Sequence, residues 1–518
     1  MKRIKKAHIV SSLVALFFII IMLHISGLAP AQAARKGQVT IATGWAAFNC
    51  KGGDPATQTG APPYASRTVF DSLVNVTTDR QFIPAIAKSF KIAPGWKYID
   101  FFMRKDVKFQ NGEPVTVEDA KYSLGLYMNP KFKYVFGPMW RRNIAKVEIM
   151  GPTQLRVYMK NADWGFIGRL WWGGGIMPKA YREKVGDKVF ADKPIGAGPF
   201  KWVDYKQDQW IKFEAVKHHY RKTPSVKTVK LVFVPEPSTR LAMLKSGEAD
   251  IASIFGPNVP QVKADPNLRV YWIRETSGGD IYYADLRDPK TPSPFHDIRV
   301  RRAVSLAINR KAICEKILFG AAEPWGDVLP SLTLGHDSSL KPPPYDPEAA
   351  KKLLAEAGYP NGFSTTMHVQ ITNRIAEALV ANLVDVGIKV KLEKYEPGAF
   401  YGNFFRRKFR GLIPYVGWYD PERQAPAEIS DFYMKGMPHA YYTTDEIDQA
   451  LRKGMYAETD EELAMWGRKL SKMIRESEIT TFLWANHIPY GLGPRIKHWE
   501  PTIGGIPSVE FETIVLND

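Results

Sequence analysis

The chain has 518 residues, of which 45% are hydrophobic and 24% are charged. The length is too great for one ordinary hydrophobic core and the composition is that of a folded protein, so disorder is excluded as the default and two or three domains are expected. The formal net charge of +18 favours anionic partners or an anionic bilayer surface, with a solvated basic surface as the alternative.

Residues 1–33 have the pattern of a signal peptide. Basic residues cluster in 2–6, an apolar run covers 9–23, and Ala31 and Ala33 give the small-x-small cleavage pattern. Cleavage after Ala33 predicts export to the periplasm, while an uncleaved anchor is the alternative because the run approaches the roughly 20 residues that span a bilayer. Cleavage would remove four basic residues, Lys2, Arg3, Lys5 and Lys6, and leave the mature chain with a net charge of 18 − 4 = +14. No nucleic-acid partner is expected for an exported chain without such a motif.

Two cysteines, Cys50 and Cys314, are present. An even count permits a disulfide in an oxidising compartment. Cys314 lies in a helical pattern with Ile313 and Ile317, which favours a buried free thiol.

The mature chain begins with a predicted strand at residues 38–42. It opens into a Gly- and Pro-rich loop at 44–63 that contains Trp45 and Asn49. A long irregular loop after a first strand is often functional, and a surface excursion is the alternative. A helix is predicted around 65–74.

Turn and cap signals organise the next part. Residues 96–104 are β-rich, Asn111 and Gly112 signal a turn, and Thr116 is the predicted N-cap of a helix with acidic residues in its first turn. A hairpin is predicted at 147–158. The pattern then predicts a strand introduced by 196–200, a strand at 210–214 that pairs with it, a strand at 226–234, a helix at 239–246 and a strand beginning at 248–251.

A second lobe is predicted to begin near residue 282. Residues 281–286 are read as one strand that crosses between lobes, and 479–484 as the returning strand. The stretch 295–310 is predicted to be helical, because Asp297 is a plausible N-cap and apolar residues recur after it at helical spacing.

Strand, helix and strand follow one another in the second lobe, at residues 364–371, 374–385 and 388–393. This order predicts a βαβ unit with parallel strands and a right-handed crossover. Asp346, followed by proline, predicts another helix start. Later helices are predicted at 445–455 and 461–475.

Five blocks of sequence stand out along the chain. They are residues 107–119 (VKFQNGEPVTVED), 196–200 (GAGPF), 240–251 (RLAMLKSGEADI), 295–310 (FHDIRVRRAVSLAINR) and 345–354 (YDPEAAKKLL). Together they resemble the family-5 solute-binding proteins of ABC importers, the extracytoplasmic dipeptide, oligopeptide and nickel binders. In that family the blocks are mostly turns, caps and hinges rather than ligand contacts.

The resemblance implies an α/β fold of the two-lobed periplasmic binding protein type II kind, with an extra subdomain in the first lobe and a ligand enclosed between lobes. The implied division is a signal peptide at 1–33, lobe I at 34–67, 194–275 and 480–518, the extra subdomain at 68–193, and lobe II at 276–479.

One departure from the family concerns the ligand. Peptide binders carry a segment like GWGADYPDP, whose first Asp meets the peptide α-ammonium. Residues 416–421 (VGWYDP) lack the AD pair, and Asp420 matches the later Asp. A buried ammonium without a partner is costly, so an opine-like conjugate, a sugar or another polar ligand is favoured over ordinary peptides.

The candidate ligand contacts are mostly aromatic residues at predicted loop ends and lobe crossings, because Trp and Tyr stack on flat ligand faces. Arg423 is added as a partner for an anionic group. For each aromatic residue the alternative is packing in the core or between the crossing strands, and for Arg423 it is an exposed position on the surface. The predicted ligand-binding residues are Trp45, Asn49, Tyr282, Tyr283, Trp418, Tyr419, Asp420, Arg423 and Trp484. No cofactor is predicted, and the adjacent His218 and His219 are not read as a metal pair because neighbours on a strand face opposite ways.

The predicted function is that of the periplasmic substrate-binding subunit of an ABC importer. It would act as a monomer, hold a peptide-like, opine-like or oligosaccharide solute, deliver it to the membrane permease and catalyse nothing. One alternative is an exported enzyme such as a glycosidase, which needs two carboxylates about 5–10 Å apart; the G-x-S-x-G, H-E-x-x-H and P-loop motifs do not occur. The other is a ligand-binding sensor or chaperone on the same fold.

Overall fold

A computed structural model describes residues 37–44, 53–57, 64–78, 81–371, 373, 375–418, 425–501 and 510–517. The predicted signal peptide lies outside the described residues. Within them, no helix has the length and apolar character needed to cross a membrane.

The strands, in chain order, are β1 Gln38–Thr43, β2 Val74–Val76, β3 Phe82–Pro84, β4 Ala87–Ile92, β5 Tyr98–Met103, β6 Ile144–Gly151, β7 Gln154–Met159, β8 Phe200–Lys206, β9 Trp210–Ala215, β10 Thr228–Phe233, β11 Ile251–Ser253, β12 Arg269–Tyr283, β13 Ala322–Pro324, β14 Phe363–Gln370, β15 Ile388–Tyr395, β16 Leu412–Trp418, β17 Thr480–Leu492, β18 Ile496–His498 and β19 Val515–Leu516.

The α-helices, in chain order, are α1 Tyr64–Val69, α2 Val117–Met128, α3 Gly137–Asn143, α4 Trp164–Gly173, α5 Lys179–Asp192, α6 Pro237–Lys245, α7 Val259–Lys263, α8 Ile298–Ala307, α9 Arg310–Ala312, α10 Pro347–Glu356, α11 Ala376–Val384, α12 Pro397–Phe405, α13 Ala425–Tyr433, α14 Asp445–Gly454 and α15 Asp460–Ser477. A π-helical turn, Ile313–Ile317, follows α9, and 3₁₀ turns lie at Pro55–Thr57, Pro94–Trp96, Pro130–Phe132, Gly256–Asn258, Ala284–Arg287, Pro294–His296 and Phe511–Thr513.

Two long antiparallel strands, β12 and β17, connect the halves of the molecule. They lie in the middle of an 11-stranded sheet with the order β15-β14-β16-β12-β17-β11-β1-β10-β9-β8, and β13 pairs with β17. One hydrophobic core takes Ile273 from β12, and a second core takes Ile281 from the same strand. A strand that supplies two separate cores links two lobes, so the predicted two-lobed α/β architecture is confirmed.

The pairing of β12 with β17 is interrupted between the lobes. Ile273 lies opposite Ile488, and regular pairing resumes with Ser277 opposite Asn486. Three residues of β12 therefore face one residue of β17, which is a β-bulge. Glu275, inside the bulge, has a φ of 53°, a conformation that a non-glycine residue seldom adopts. We call residues 274–276 the junction.

Lobe I is built on parallel strands. β1 pairs in parallel with β10 on one side and with β11 on the other. The carboxyl ends of these three strands therefore meet at one edge, because parallel strands share their direction.

Lobe II contains the predicted βαβ unit. β14 and β15 are parallel and α11 connects them. β16 is parallel to β14 and antiparallel to β12. The predicted cap of α8 is also present, since Asp297 accepts a hydrogen bond from the backbone N–H of Arg299 at 2.8 Å.

A separate four-stranded sheet, in the order β4-β5-β7-β6, lies between the first and second parts of lobe I in sequence. The predicted hairpin forms its β6 and β7. Gln110 joins the sequence block 107–119 to the block 196–200. Its side-chain amide donates to the carbonyls of Gly198 and Phe200 at 3.1 and 2.8 Å. The predicted cap of α2 is a capping box between Thr116 and Asp119.

The helix predicted around residues 65–74 is wrong in extent. It ends at Val69, and Val74 begins a strand. A Cβ on Gly196 would lie 2.1 Å from the Val69 carbonyl oxygen, and one on Gly198 would lie 2.6 Å from its carbonyl carbon. Since another segment occupies the space against the backbone after Val69, tertiary packing ends the helix early. Cys314 is a buried free thiol, as the sequence favoured.

Candidate functional site

The two lobes present strand ends near the junction. In lobe I, Gly44 follows β1, and its backbone N–H donates to the Ser253 hydroxyl at the end of β11. In lobe II, Trp418 ends β16 and lies opposite Ser277, the first residue of β12 after the junction. Ligands in open α/β sheets bind beyond the carboxyl ends of the strands, so this region is the candidate ligand site.

A buried arginine holds the lobe I edge together. The Arg240 guanidinium donates to the Ser253 carbonyl at 2.7 Å and to the Val234 carbonyl at 2.7 Å. The Ser253 carbonyl ends β11, and the Val234 carbonyl follows β10. A Cβ on Gly44, which follows β1, would lie 2.6 Å from the same guanidinium. Arg240 therefore ties three strand ends into one rigid edge, which is the structural role expected of its block.

Polar contacts join the junction to the rest of lobe II. The Glu275 carboxylate accepts from the Ser331 backbone N–H at 2.5 Å and from its hydroxyl at 2.7 Å. The Glu275 N–H donates to His487 Nδ1 at 3.0 Å. On the other side of its ring, His487 Nε2 lies 3.3 Å from Glu323, while burial lowers the pKa of His487. Hydrogen bonds to His487 of β17 and to Ser331 of the segment after β13 thus hold the unusual backbone of the bulge.

The lobes also touch away from the junction. Trp164 in α4 donates its indole N–H to the carbonyl of Ala457, after α14, at 2.8 Å. The Phe319 ring of lobe II lies 3.5 Å from where a Cβ on Gly256 of lobe I would stand. These contacts describe an arrangement in which the lobes are closed on each other.

Three of the predicted ligand contacts, Tyr282, Tyr283 and Trp484, lie in the interior of lobe II. Tyr283 is 1% exposed; its hydroxyl donates to the Arg301 carbonyl and lies 2.5 Å from the Thr481 hydroxyl. Tyr282 is 4% exposed and stacks on Tyr415 with ring centroids 5.5 Å apart. The partners of Tyr283 all belong to the lobe II core, so this side chain is not part of the site that we propose below.

Trp484 lies on β17 opposite Gly279, and Tyr282 lies on β12 three residues after that glycine. Trp484 is 2% exposed and pairs with Gly279, whose Cβ would lie 2.6 Å from the indole nitrogen. Trp418 is placed by its backbone at the end of β16. The remaining predicted contacts, Trp45, Asn49, Tyr419, Asp420 and Arg423, lie outside the described residues, and their roles stay predictions.

Asp280 is a residue that the sequence did not single out. It lies on β12 between Gly279 and Ile281, opposite Tyr415 of β16 and Phe482 of β17. The side chain is partly exposed, yet the surrounding protein is dense enough that burial raises its pKa to about 7. The available signal was an acidic residue inside an apolar crossing strand and directly after two glycines.

The candidate site combines aromatic rings with a partly exposed carboxylate, groups that suit a polar organic ligand. Within the described residues, no group of three or more His, Cys, Asp and Glu is arranged to hold a metal ion.

Comparison with known proteins agrees with this architecture. The family model for bacterial extracellular solute-binding proteins, family 5 middle region, matches residues 81–426, more than half of the chain. Heme-binding protein A of Haemophilus influenzae is 27% identical over 484 residues, covering 84% of this chain and 84% of the relative. The glutathione-binding protein GsiB of Escherichia coli (strain K12) is 26% identical over 405 residues, covering 75% and 78%.

The fold is shared with solved structures. HbpA2 from Haemophilus parasuis superposes with a TM-score of 0.81 at 20% identity, covering 93% of this chain and 100% of that one. With its two cores, its paired crossing strands and a family match over most of its length, the chain belongs to family 5 of the bacterial extracellular solute-binding proteins.

Proposed function

We propose that the chain is the substrate-binding subunit of an ABC importer and carries a polar organic solute between its lobes. The observation that supports this most is the pair β12 and β17, which joins two independent cores and whose register shifts at the junction and again between Gly279 and Asp280. A short irregular segment between rigid bodies is where a hinge absorbs backbone rotation. The ligand is peptide-like, opine-like or an oligosaccharide.

The binding cycle follows from the contacts between lobes. Contacts such as that of Trp164 with Ala457 require the lobes to be together, so they add to ligand contacts in the closed form and are lost in the open form. A ligand that touches both lobes shifts the population towards closure by its differential affinity for the two states. The membrane permease then recognises the closed form.

The setting is the periplasm, reached through the predicted signal peptide, and the working unit is a monomer. The relatives are named for binding heme and glutathione, which favours binding over the exported-enzyme alternative. A sensor or chaperone shares the fold, and genes for permease and ATPase subunits beside this one would favour transport.

The test is mass spectrometry of residues 34–518 purified without denaturation. We expect a small molecule to be released on unfolding and to rebind the refolded protein with one site per chain by calorimetry. Incubation with the released molecule should return it unchanged, as a binder requires. Release of a chemically altered molecule would support the enzyme alternative, and absence of both a released molecule and any binding to candidate solutes would contradict the proposal.

A further inference from the structure

Among the residues that the structure describes, Asp280 differs from other deeply placed acidic residues because no partner for its carboxylate is found. Asp54 is paired with Arg182 through two hydrogen bonds of 2.7 Å. Asp250 accepts from Arg495 at 2.8 Å and from the Thr40 backbone N–H at 2.8 Å. In the part of the chain that the structure describes, no donor or cation lies against the Asp280 carboxylate in this way.

An unpaired carboxylate in such a place is costly. Removing a charge from water without a compensating partner is unfavourable, and the group responds by holding its proton more tightly. The raised pKa of Asp280, about 7, has desolvation as its cause. A strained or uncompensated ionisable group in a cleft is typical of a functional position rather than of a scaffold.

The surroundings of Asp280 are aromatic. Directly opposite residues of antiparallel strands point to the same face of a sheet, so Asp280 shares a face with Tyr415. The Tyr415 ring stacks on Phe404 at 4.8 Å and on Tyr282 at 5.5 Å. Two residues along β16 on the same face, the Phe432 ring lies 3.0 Å from where a Cβ on Gly417 would stand. A carboxylate beside aromatic faces is the combination that holds organic cations, through charge and through the ring quadrupoles.

The stretch of β12 directly before Asp280 carries no side chains. Residues 278 and 279 are glycines, and Gly278 lies opposite Gly417. On the Asp280 face these paired positions carry no side chains next to the carboxylate. They lie on the lobe II side of the junction, beside Ser277 and the end of β16.

We propose that Asp280 receives a positively charged group of the ligand, an ammonium or a guanidinium, in the cleft between the lobes. This inference rests on the proposed function. It assigns the counter-charge for a cationic ligand to the crossing strand β12, whereas the segment 416–421 lacks the acidic residue expected there for a peptide amine. The ligand class is then a solute with at least one positive charge, free-amine peptides included.

The experiment uses three pairs of probes that differ by one positive charge: tri-alanine and N-acetyl-tri-alanine, glutathione and N-acetylglutathione, and arginine and citrulline. Calorimetry on wild-type protein is expected to show at least one member with the extra positive charge binding 10-fold or more tightly than the twin that lacks this charge. The Asp280→Asn variant should lose at least 10-fold in affinity for that member and bind the twins equally. Asp204→Asn, the same change at an exposed position of β8, should behave as wild type.

The outcomes separate this inference from the proposed function. Equal binding of the twins, or full affinity in Asp280→Asn, overturns the role of Asp280 and leaves the binding function intact. When none of the six probes binds, the molecule released from the purified protein decides: a positive charge on it supports the inference and its absence overturns it. No released molecule and no binding would overturn the proposed function together with the inference.

A change of pH separates two roles of the carboxyl group. A cation partner requires the carboxylate, so affinity for the protonated form of the probe, calculated from its own amine pKa, should fall from pH 8 to pH 6. A rise would show the protonated acid donating to the ligand and overturn the proposal. Among the described residues, the titratable and charged side chains packed around this face include Tyr282 on β12, Tyr415 on β16, Tyr401 on α12, and Arg407, His439 and Tyr441. Their contribution is the pH dependence that remains in Asp280→Asn.

Discussion

Asp280 is expected to lower the stability of the unliganded protein, because its charge has no partner among the described residues. Its pKa is about 7 in the folded protein against 3.8 for an ordinary Asp. The folded protein therefore holds a proton that the unfolded chain releases as the pH rises between these values. By linkage, stability is lost over that window.

The Asp280→Asn variant is expected to be more stable than wild type, and more so at pH 8 than at pH 5. The amide removes the buried charge, so the difference in free energy of unfolding should grow by about 1–3 kcal/mol between the two pH values, with the pKa shift discounted for partial exposure. Urea unfolding of both proteins at each pH measures it. Equal differences at pH 5 and pH 8 would show that the carboxyl group has an ordinary pKa.

Trp418 tests the aromatic part of the predicted site. It ends β16 opposite Ser277, beside the junction. Trp418→Ala should weaken ligand binding by about 1–3 kcal/mol if an aromatic anchor is lost from the cleft. Calorimetry measures the affinity, and Trp210→Ala on β9, distant from the junction in the sheet order, is the control. Unchanged affinity in Trp418→Ala would remove this residue from the site.

At the residue level, the sequence singled out residues of the two crossing strands close to Asp280 but not Asp280 itself. Tyr282 and Trp484 were predicted from their place on crossing strands. The structure places Tyr282 two residues after Asp280 on β12, and Trp484 opposite Gly279, the residue before Asp280. Asp280 itself was missed, because a single acidic residue in a strand reads as solvent-facing. Only the tertiary structure shows that this carboxylate has no cation beside it in the described residues.

Elements with strong local signals were predicted well. Asp346 caps α10 by accepting from the Ala349 backbone N–H at 2.9 Å, and the βαβ unit of lobe II has the predicted order and parallel register. These follow from capping chemistry and hydrophobic periodicity, which act within a few residues.

Elements that depend on distant partners were predicted less well. β12 begins at Arg269, twelve residues before the strand read from 281–286, because its first part pairs with β17 in lobe I. The bulge at Glu275 follows from that long-range pairing as well. A local pattern carries no information about which strand will lie opposite, so the position of the bulge could not be predicted from the sequence.

The contact of α4 with lobe II gives an element-scale prediction. Trp164→Phe removes the hydrogen bond to Ala457 while keeping an aromatic ring, so the closed form should lose about 1 kcal/mol and ligand affinity should fall roughly 5-fold. Calorimetry with the released ligand measures this.

Trp325→Phe is the matched control for Trp164→Phe. Trp325 donates its indole N–H to the Leu329 carbonyl at 3.1 Å, a bond of the same kind within one lobe. This variant should lose stability without losing ligand affinity. A fall in affinity that is equal in both variants would mean that the Trp164 contact has no special part in closure.

For the whole molecule, the sequence predicted the class of fold because the five blocks hold lobes and crossings together. Arg310, in the fourth block, donates to the Phe482 carbonyl at 2.8 Å and fixes the start of β17 to lobe II. Arg240, in the third, fixes the strand ends of lobe I. The blocks therefore supply structural contacts within each lobe, and the ligand-binding residues that we propose lie outside the blocks. This is why the family was predictable and the solute was not.

Closure of two rigid lobes around a solute is the central claim, and small-angle X-ray scattering of residues 34–518 tests it most directly. The ligand released from the purified protein is removed and then added back at one equivalent per chain. The radius of gyration should fall on addition, with no change in molecular mass, and the fall should be smaller for Trp164→Phe. A radius of gyration that stays the same while the ligand binds, or a doubling of the mass, would contradict a monomer that closes about the junction.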